Sequence, residues 1–228
     1  MDSFLDAQLG EIVVRRSART RSIRIRVGTD GRLVASIPRL TPLFLIKQTV
    51  RASRSELSKL LETSRGHTYR DGDKLGQSHT LRIRSDTKTH AAISGHVLRI
   101  SLPGDTIETD PDAQAFIRTH VIKLLRKEAK IYLDVRLSVL ARRHGFSYSR
   151  VRYTHAATRW GSCSSGGTIS LNIALMSLPL ELIDYVLIHE LCHTRQMNHS
   201  KEFWAEVAAL DPHYKLHRRQ LKSKTPVV

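Results

Sequence analysis

The chain has 228 residues and a formal net charge of +16, from 37 lysine or arginine and 21 aspartate or glutamate side chains. That length allows one domain or two small ones, each with a core. Two cysteines, Cys163 and Cys192, exclude a disulfide framework, and the lack of an 18-residue apolar stretch excludes a transmembrane helix and a membrane partner. No basic segment followed by an apolar run opens the chain, so the expected location is the cytoplasm, with both thiols reduced. The positive charge points to acidic partners such as nucleotides or nucleic acid. It is spread along the chain, with one concentration at Arg15, Arg16, Arg19, Arg21, Arg24 and Arg26, read either as an anion-binding surface or as a solvated strand face.

The first hundred residues read mainly as strands. Glu11–Arg16 and Ser22–Val27 come first, and in the second Ile23, Ile25 and Val27 alternate with arginines, the period of a half-buried strand. Thr29-Asp30-Gly31 reads as a hairpin turn and Leu33–Ile37 as the return strand. Pro42 opens a helix expected to run to about Glu62. Four short strands follow at Thr68–Lys74, Thr80–Ser85, Thr89–Ile93 and Val97–Ser101, and Pro103-Gly104-Asp105 is the expected domain boundary. No internal repeat is evident.

The remainder is more helical. Asp110 and Pro111 form an N-cap and first-turn pair, apolar residues recur at helical spacing to about His144, and Gly145 ends the run. Ser149–Tyr153 and Thr168–Asn172 read as strands joined by a Gly/Ser-rich loop over 161–167. Thr168–Asn172 is expected at a sheet edge, where an extended peptide can add as a strand. Pro179 opens a helix to about Arg195, and Ser200 caps another over Lys201–Leu210.

His189-Glu190-Leu191-Cys192-His193 falls in the helix that Pro179 opens. Imidazoles four residues apart lie one turn above each other and can share one ion, while the adjacent glutamate reaches a bound water instead of the metal. A turn at Met197-Asn198-His199-Ser200 can return His199 as a third ligand. Three imidazoles and a water suit one Zn2+ per chain, with Glu190 as general base and the metal stabilising the developing oxyanion. Arg159, Tyr185 and Asn172 are candidates for substrate or oxyanion contacts. Cys192 reads as a small buried hydrophobe, and Phe203 and Trp204 as anchors of the last helix. Two other readings stay open: hydrolysis of nucleotide phosphoanhydrides, and a nucleic-acid-binding module with a structural metal.

Arg159-Trp160-Gly161-Ser162-Cys163-Ser164, Ile169–Asn172, Pro179, Asp184-Tyr185-Val186, His189–His193, Asn198-His199-Ser200, Phe203-Trp204 and Pro212 together resemble the YgjP-like metallopeptidase family, related to the SprT and WLM groups of zincin-like proteins. The resemblance is specific over about 145–222. It implies ligands at His189, His193 and His199, a catalytic acid at Glu190 and a peptide or protein substrate. The expected fold is then α+β: a strand-rich α+β unit over 1–104, followed by a minimal zincin-like core over 105–228.

Overall fold

The computed structural model describes residues 2–18, 20–28, 32–64, 67–104 and 107–228, without the side chains of 59, 60 and 62–64. Arg19, Asp105 and the expected turn at Thr29-Asp30-Gly31 lie outside these residues. The described chain mixes helices and strands as an α+β fold, in two compact units, Met1–Thr68 and Tyr69–Val228.

In the first unit, β1 (Asp2–Asp6), β2 (Gly10–Arg16), β3 (Arg24–Val27) and β4 (Leu33–Ile37) form a sheet of order β1-β2-β4-β3. β1 is a strand the sequence reading missed. Its residues, Asp-Ser-Phe-Leu-Asp, carry only two large apolar side chains, and its position is fixed by antiparallel pairing to β2. The expected single helix is two, α1 (Leu43–Ala52) and α2 (Arg54–Ser64), parted at Ser53. Ile12, Val14, Leu33, Ala35 and Ile37 from the sheet bury against Ile46 and Val50 of α1 and Leu57 of α2.

The second unit begins with β5 (Lys74–Leu75), β6 (His79–Ser85), β7 (His90–Ser94) and β8 (Val97–Leu102), in the order β5-β6-β8-β7. The strand expected over Thr68–Lys74 is irregular, with a turn at Asp71-Gly72 and strand only at Lys74. Gly72 has a φ of 87°, Asp73 accepts from the Arg70 amide, and Asp71 accepts from the Ile83 amide. Both four-stranded sheets share one pairing scheme: an antiparallel outer pair, a parallel central pair, then an antiparallel edge. This repeat of topology has no matching repeat of sequence, because alternating apolar residues of many kinds satisfy the same pleat.

The expected break at Pro103-Gly104-Asp105 is not where the compact units part; the division falls at Thr68/Tyr69. The reason is burial. Leu81, Leu98, Ile100 and Leu102 share a core cluster with Ile117, Val121, Leu124 and Leu125 of α3 (Pro111–His144). Local composition marks a turn at 103–105, but the apolar faces on either side of it need each other. In α3 the Asp110 side chain caps the Asp112 amide at 2.9 Å, and Gly145 closes the helix at a φ of 67°.

After α3 come β9 (Arg150–Thr154), β10 (Gly161–Cys163) and β11 (Thr168–Asn172), in the order β10-β11-β9. β11 is therefore central, with β9 and β10 at the two edges, and β10 is formed from residues expected to be loop. A 3-10 turn, Ile173–Ser177, leads to α4 (Leu180–Cys192), α5 (Lys201–Leu210) and α6 (Tyr214–Lys222). Among the described residues no helix is long and apolar enough to cross a membrane. Leu133 of α3 is fully buried in the cluster that also contains Leu187 and Leu191 of α4. Leu133→Ala is expected to cost about 2–5 kcal/mol through lost burial and a cavity, read as a lower midpoint in chemical denaturation.

Candidate metal centre

α4 is apolar on nearly every side. Leu182, Ile183, Val186, Leu187, Ile188 and Leu191 are buried, as are Tyr185, Glu190 and Cys192. Its helical run stops at Cys192, earlier than the expected Arg195, with His193 as C-cap. The amides of Thr194, Arg195 and Gln196 turn back onto the carbonyls of Leu191 and Cys192. The Ser200 hydroxyl then accepts from the Phe203 amide and starts α5. This reversal returns His199 to α4.

The three imidazoles converge. Nε2 of His189 lies 3.2 Å from Nε2 of His193 and 3.1 Å from Nε2 of His199. Nitrogens bound tetrahedrally to zinc at 2.0–2.1 Å stand about 3.3 Å apart, so the spacing matches one shared ion. A proton can lie in only one of the two contacts, and the remaining lone pairs repel unless a cation stands among them. His193 Nδ1 donates to the Gln196 carbonyl at 2.9 Å, which leaves Nε2 as a lone pair. Phe203 stacks on His193 at 4.5 Å and Trp204 on His199 at 5.5 Å, fixing both ring planes. The aromatic pair thus anchors the ligands as well as the helix. The donor set fits a borderline divalent ion, and His189, His193 and His199 are the described residues close enough together to hold one.

Electrostatics agree with this arrangement. Burial, then the neighbouring His193 and His199 and Arg218, pushes His189 down to about 3, so the ring is neutral at ordinary pH. His199 is lowered by burial, then by His193 and Arg218. Burial pushes Glu190 up to about 8, and its Oε2 has no hydrogen-bond partner. A divalent cation nearby acts in the opposite direction on that carboxyl group, favouring the charged form.

Gly161 is a site residue that the sequence reading treated only as a loop residue. A Cβ there would lie 2.6 Å from Glu190 Oε1 and 2.8 Å from its Cγ. The bare backbone of β10 therefore forms one wall against the Glu190 side chain. The Arg159–Ser164 pattern includes this glycine and not Gly166 or Gly167, but only the packing of β10 against Glu190 of α4 shows what its bare backbone does.

Arg159 and Tyr185 line an open cleft of about 550 Å³ together with His189 and Glu190. Tyr185 is buried, its ring 6.0 Å from that of His189, and burial pushes its phenol up to about 12, so it remains a hydrogen-bond donor. Asn172 is a correction. Its amide donates to the carbonyls of Ala156 and Arg159, and its Oδ1 accepts from the Ala174 amide. With no exposed surface it braces the loop that carries Arg159 and is not available to substrate. Cys163 lies on β10, its thiol raised by burial and then by Glu190; Cys192 is fully buried and pushed up to about 12. Neither is a thiolate nucleophile. His217 Nδ1 lies 2.7 Å from Asp211 Oδ2, an ion-pair geometry, while the His213 and His217 rings are 6.3 Å apart.

The arginine concentration of the first unit divides. Arg15 and Arg24 flank Ser36 in register on an exposed sheet face, and Arg21 and Arg26 are exposed as well. Arg16 is occupied instead, pairing with Asp2 and donating to the carbonyls of Arg39 and Thr41.

A metal-binding histidine triad on an apolar helix, with a buried glutamate beside it, has the composition of a metallopeptidase centre. The chain belongs to the YgjP-like family, whose metallopeptidase domain matches residues 21–224. No curated protein matches it. Among solved structures it is similar to the metallopeptidase zymogen of Pyrococcus abyssi abylysin, at 28% identity over 40% of this chain and 91% of that one, with a TM-score of 0.37.

Two predictions follow from the packing and burial of Glu190. Gly161→Ala is expected to destabilise the fold by about 1–3 kcal/mol through overpacking. Most of that loss should disappear in a Glu190→Ala background, which a double-mutant cycle in urea reads directly. In the metal-free protein the raised Glu190 group takes up a proton on folding between its unfolded pKa and about 8. Its contribution is complete below the unfolded value and is lost as pH rises through about 8. Metal-free Glu190→Gln should therefore melt above metal-free wild type at pH 9, and the gap should close near pH 4.

Proposed function

We propose that the chain hydrolyses peptide bonds with one Zn2+ held by His189, His193 and His199, and with Glu190 carrying the proton. The observation that supports this most is the buried Glu190 carboxyl, with Oε2 unpartnered, on the same helix as two of three convergent imidazoles. When bound, zinc supplies Lewis acidity, bringing the pKa of a coordinated water to about 7 and polarising a carbonyl. Glu190 takes the proton from the attacking water and delivers it to the departing amine. Gly161 keeps that carboxyl against β10. Tyr185 and Arg159, on the cleft wall, are the proposed donors to the oxyanion and to substrate carbonyls. The edge strand β10 offers unpaired backbone groups to an extended peptide. Both cysteines are free thiols, which fits a reducing cytoplasm.

Metal analysis should find about one zinc per chain in wild type, and loss of zinc in a His189→Ala, His193→Ala variant. Glu190→Gln is expected to retain zinc and to lose roughly 10²–10⁴ in cleavage of denatured protein substrates. Equal turnover by Glu190→Gln and wild type would end the proton-carrier assignment. Phosphate release from nucleoside triphosphates without peptide cleavage would favour the nucleotide reading. Unfolding on chelation, with no turnover in either form, would favour a structural metal.

A further inference from the structure

Four cations border the cleft that contains His189 and Glu190. Arg159 approaches from the loop before β10, Arg218 and Lys222 from α6, and Lys224 from the segment after it. Among the described residues that line this cleft, Glu190 is the one carboxyl group. All four cations are solvent-exposed, and the ion pairs among the described residues leave each of them without a carboxylate partner.

The excess has a source in the sequence. Residues 212–228 contain five lysine or arginine side chains and no aspartate or glutamate. On α6, Lys215, Arg218, Arg219 and Lys222 stand at helical spacings of three and four, which places them along one face. These four also line a second depression beside the cleft, together with Lys201 of α5. Arg218 and Lys222 belong to both, so the positive wall is continuous from the metal centre across α5 and α6.

Arg218 is the cation held in place. Its guanidinium lies over the Trp204 ring, 4.6 Å from the centroid, and Trp204 itself stacks between His199 and Tyr214. A guanidinium fixed beside the triad, with its donors free of carboxylates, is a preorganised carboxylate site. In a concave surface of one sign, the field also concentrates ligands of the opposite sign.

We propose that this cleft selects peptides bearing a carboxylate close to the scissile bond, with Arg218 as the principal specificity residue and Lys222 and Lys224 as supporting charges. The carboxylate belongs to an acidic side chain or to the substrate's own C-terminus. The inference rests on the reading of this cleft as the peptide-binding face of a metallopeptidase, and its test separates the two.

The zinc-loaded Glu190→Gln chain is titrated with fluorescein-labelled octapeptides that differ only in carrying three Glu, three Gln or three Lys, all blocked at both ends. A fourth, the Gln peptide with a free C-terminal carboxyl group, separates the two carboxylate sources. At low salt the Glu peptide or the free-acid peptide should bind about tenfold more tightly than the blocked Gln peptide, and the Lys peptide more weakly still. Adding Arg218→Gln should flatten the series. Lys222→Gln with Lys224→Gln, both exposed, should reduce it in part and guards against a folding defect at Arg218. Lys88→Gln with Lys127→Gln removes equal charge elsewhere and should leave the series intact.

Equal binding of all four peptides, or a preference that survives Arg218→Gln or falls equally in the Lys88, Lys127 control, overturns the proposal. Cleavage of the blocked Gln, blocked Glu and free-acid Gln peptides by wild type at equal kcat/KM also overturns it while leaving the peptidase reading standing. Acid-selective binding without cleavage of any peptide by wild type would do the reverse.

Discussion

Helix α4 carries two imidazoles and a carboxyl group on a segment whose other faces are buried in the largest core of the chain, and the centre depends on that burial. The helix cannot turn to present another face without exposing Leu182, Ile183, Leu187 and Leu191, each worth about 1.5–3 kcal/mol in burial. His189, Glu190 and His193 are therefore positioned by residues that take no part in the chemistry. The long helix α3 supplies part of that packing surface, and the bidentate Arg136–Asp184 contact, at 2.7 and 2.6 Å, ties α3 to α4 at a polar edge.

The same burial sets up an electrostatic tension. It makes the His189 imidazole neutral, as a ligand must be, and it makes the charged form of Glu190 costly. A divalent cation at the triad relieves both effects by accepting the nitrogen lone pairs and attracting the carboxylate. Phe203 and Trp204 hold two of the rings in plane, and Gly161 leaves room for the carboxyl group. Family membership establishes a metallopeptidase, and the polar groups around α4 have the composition that such a protein requires.

The cleft walls come from segments far apart in the chain. Arg159 sits on a loop braced by Asn172, whose three hydrogen bonds to backbone atoms give this buried amide a structural task. Arg218 reaches the triad from α6 over the ring of Trp204. Glu190 thus shares a cleft with Arg159, Arg218, Lys222 and Lys224, while burial is what raises its carboxyl group. The proposed selection of carboxylate-bearing peptides rests on these cations, and the proposed proton transfer on the unpartnered Glu190 Oε2.

What the sequence determined by itself is whatever depends on neighbours within a few turns. The Asp110-Pro111 start and Gly145 stop of α3, the Ser200 cap of α5, and the four-residue spacing of His189 and His193 are local, and the family pattern could be read around them. The tertiary structure decided whatever required a distant partner. A weakly apolar β1 became a strand by pairing with β2, and Gly161–Cys163 became a sheet edge by pairing with β11. The four strands over residues 74–102 joined the second unit because their apolar face matched that of α3. Gly161 and Arg218 acquired their places at the centre in the same way. Capping and helical periodicity act over a few residues and leave a mark on the sequence. Strand pairing and the burial of one face against another act across the fold, between residues whose types alone do not name their partners.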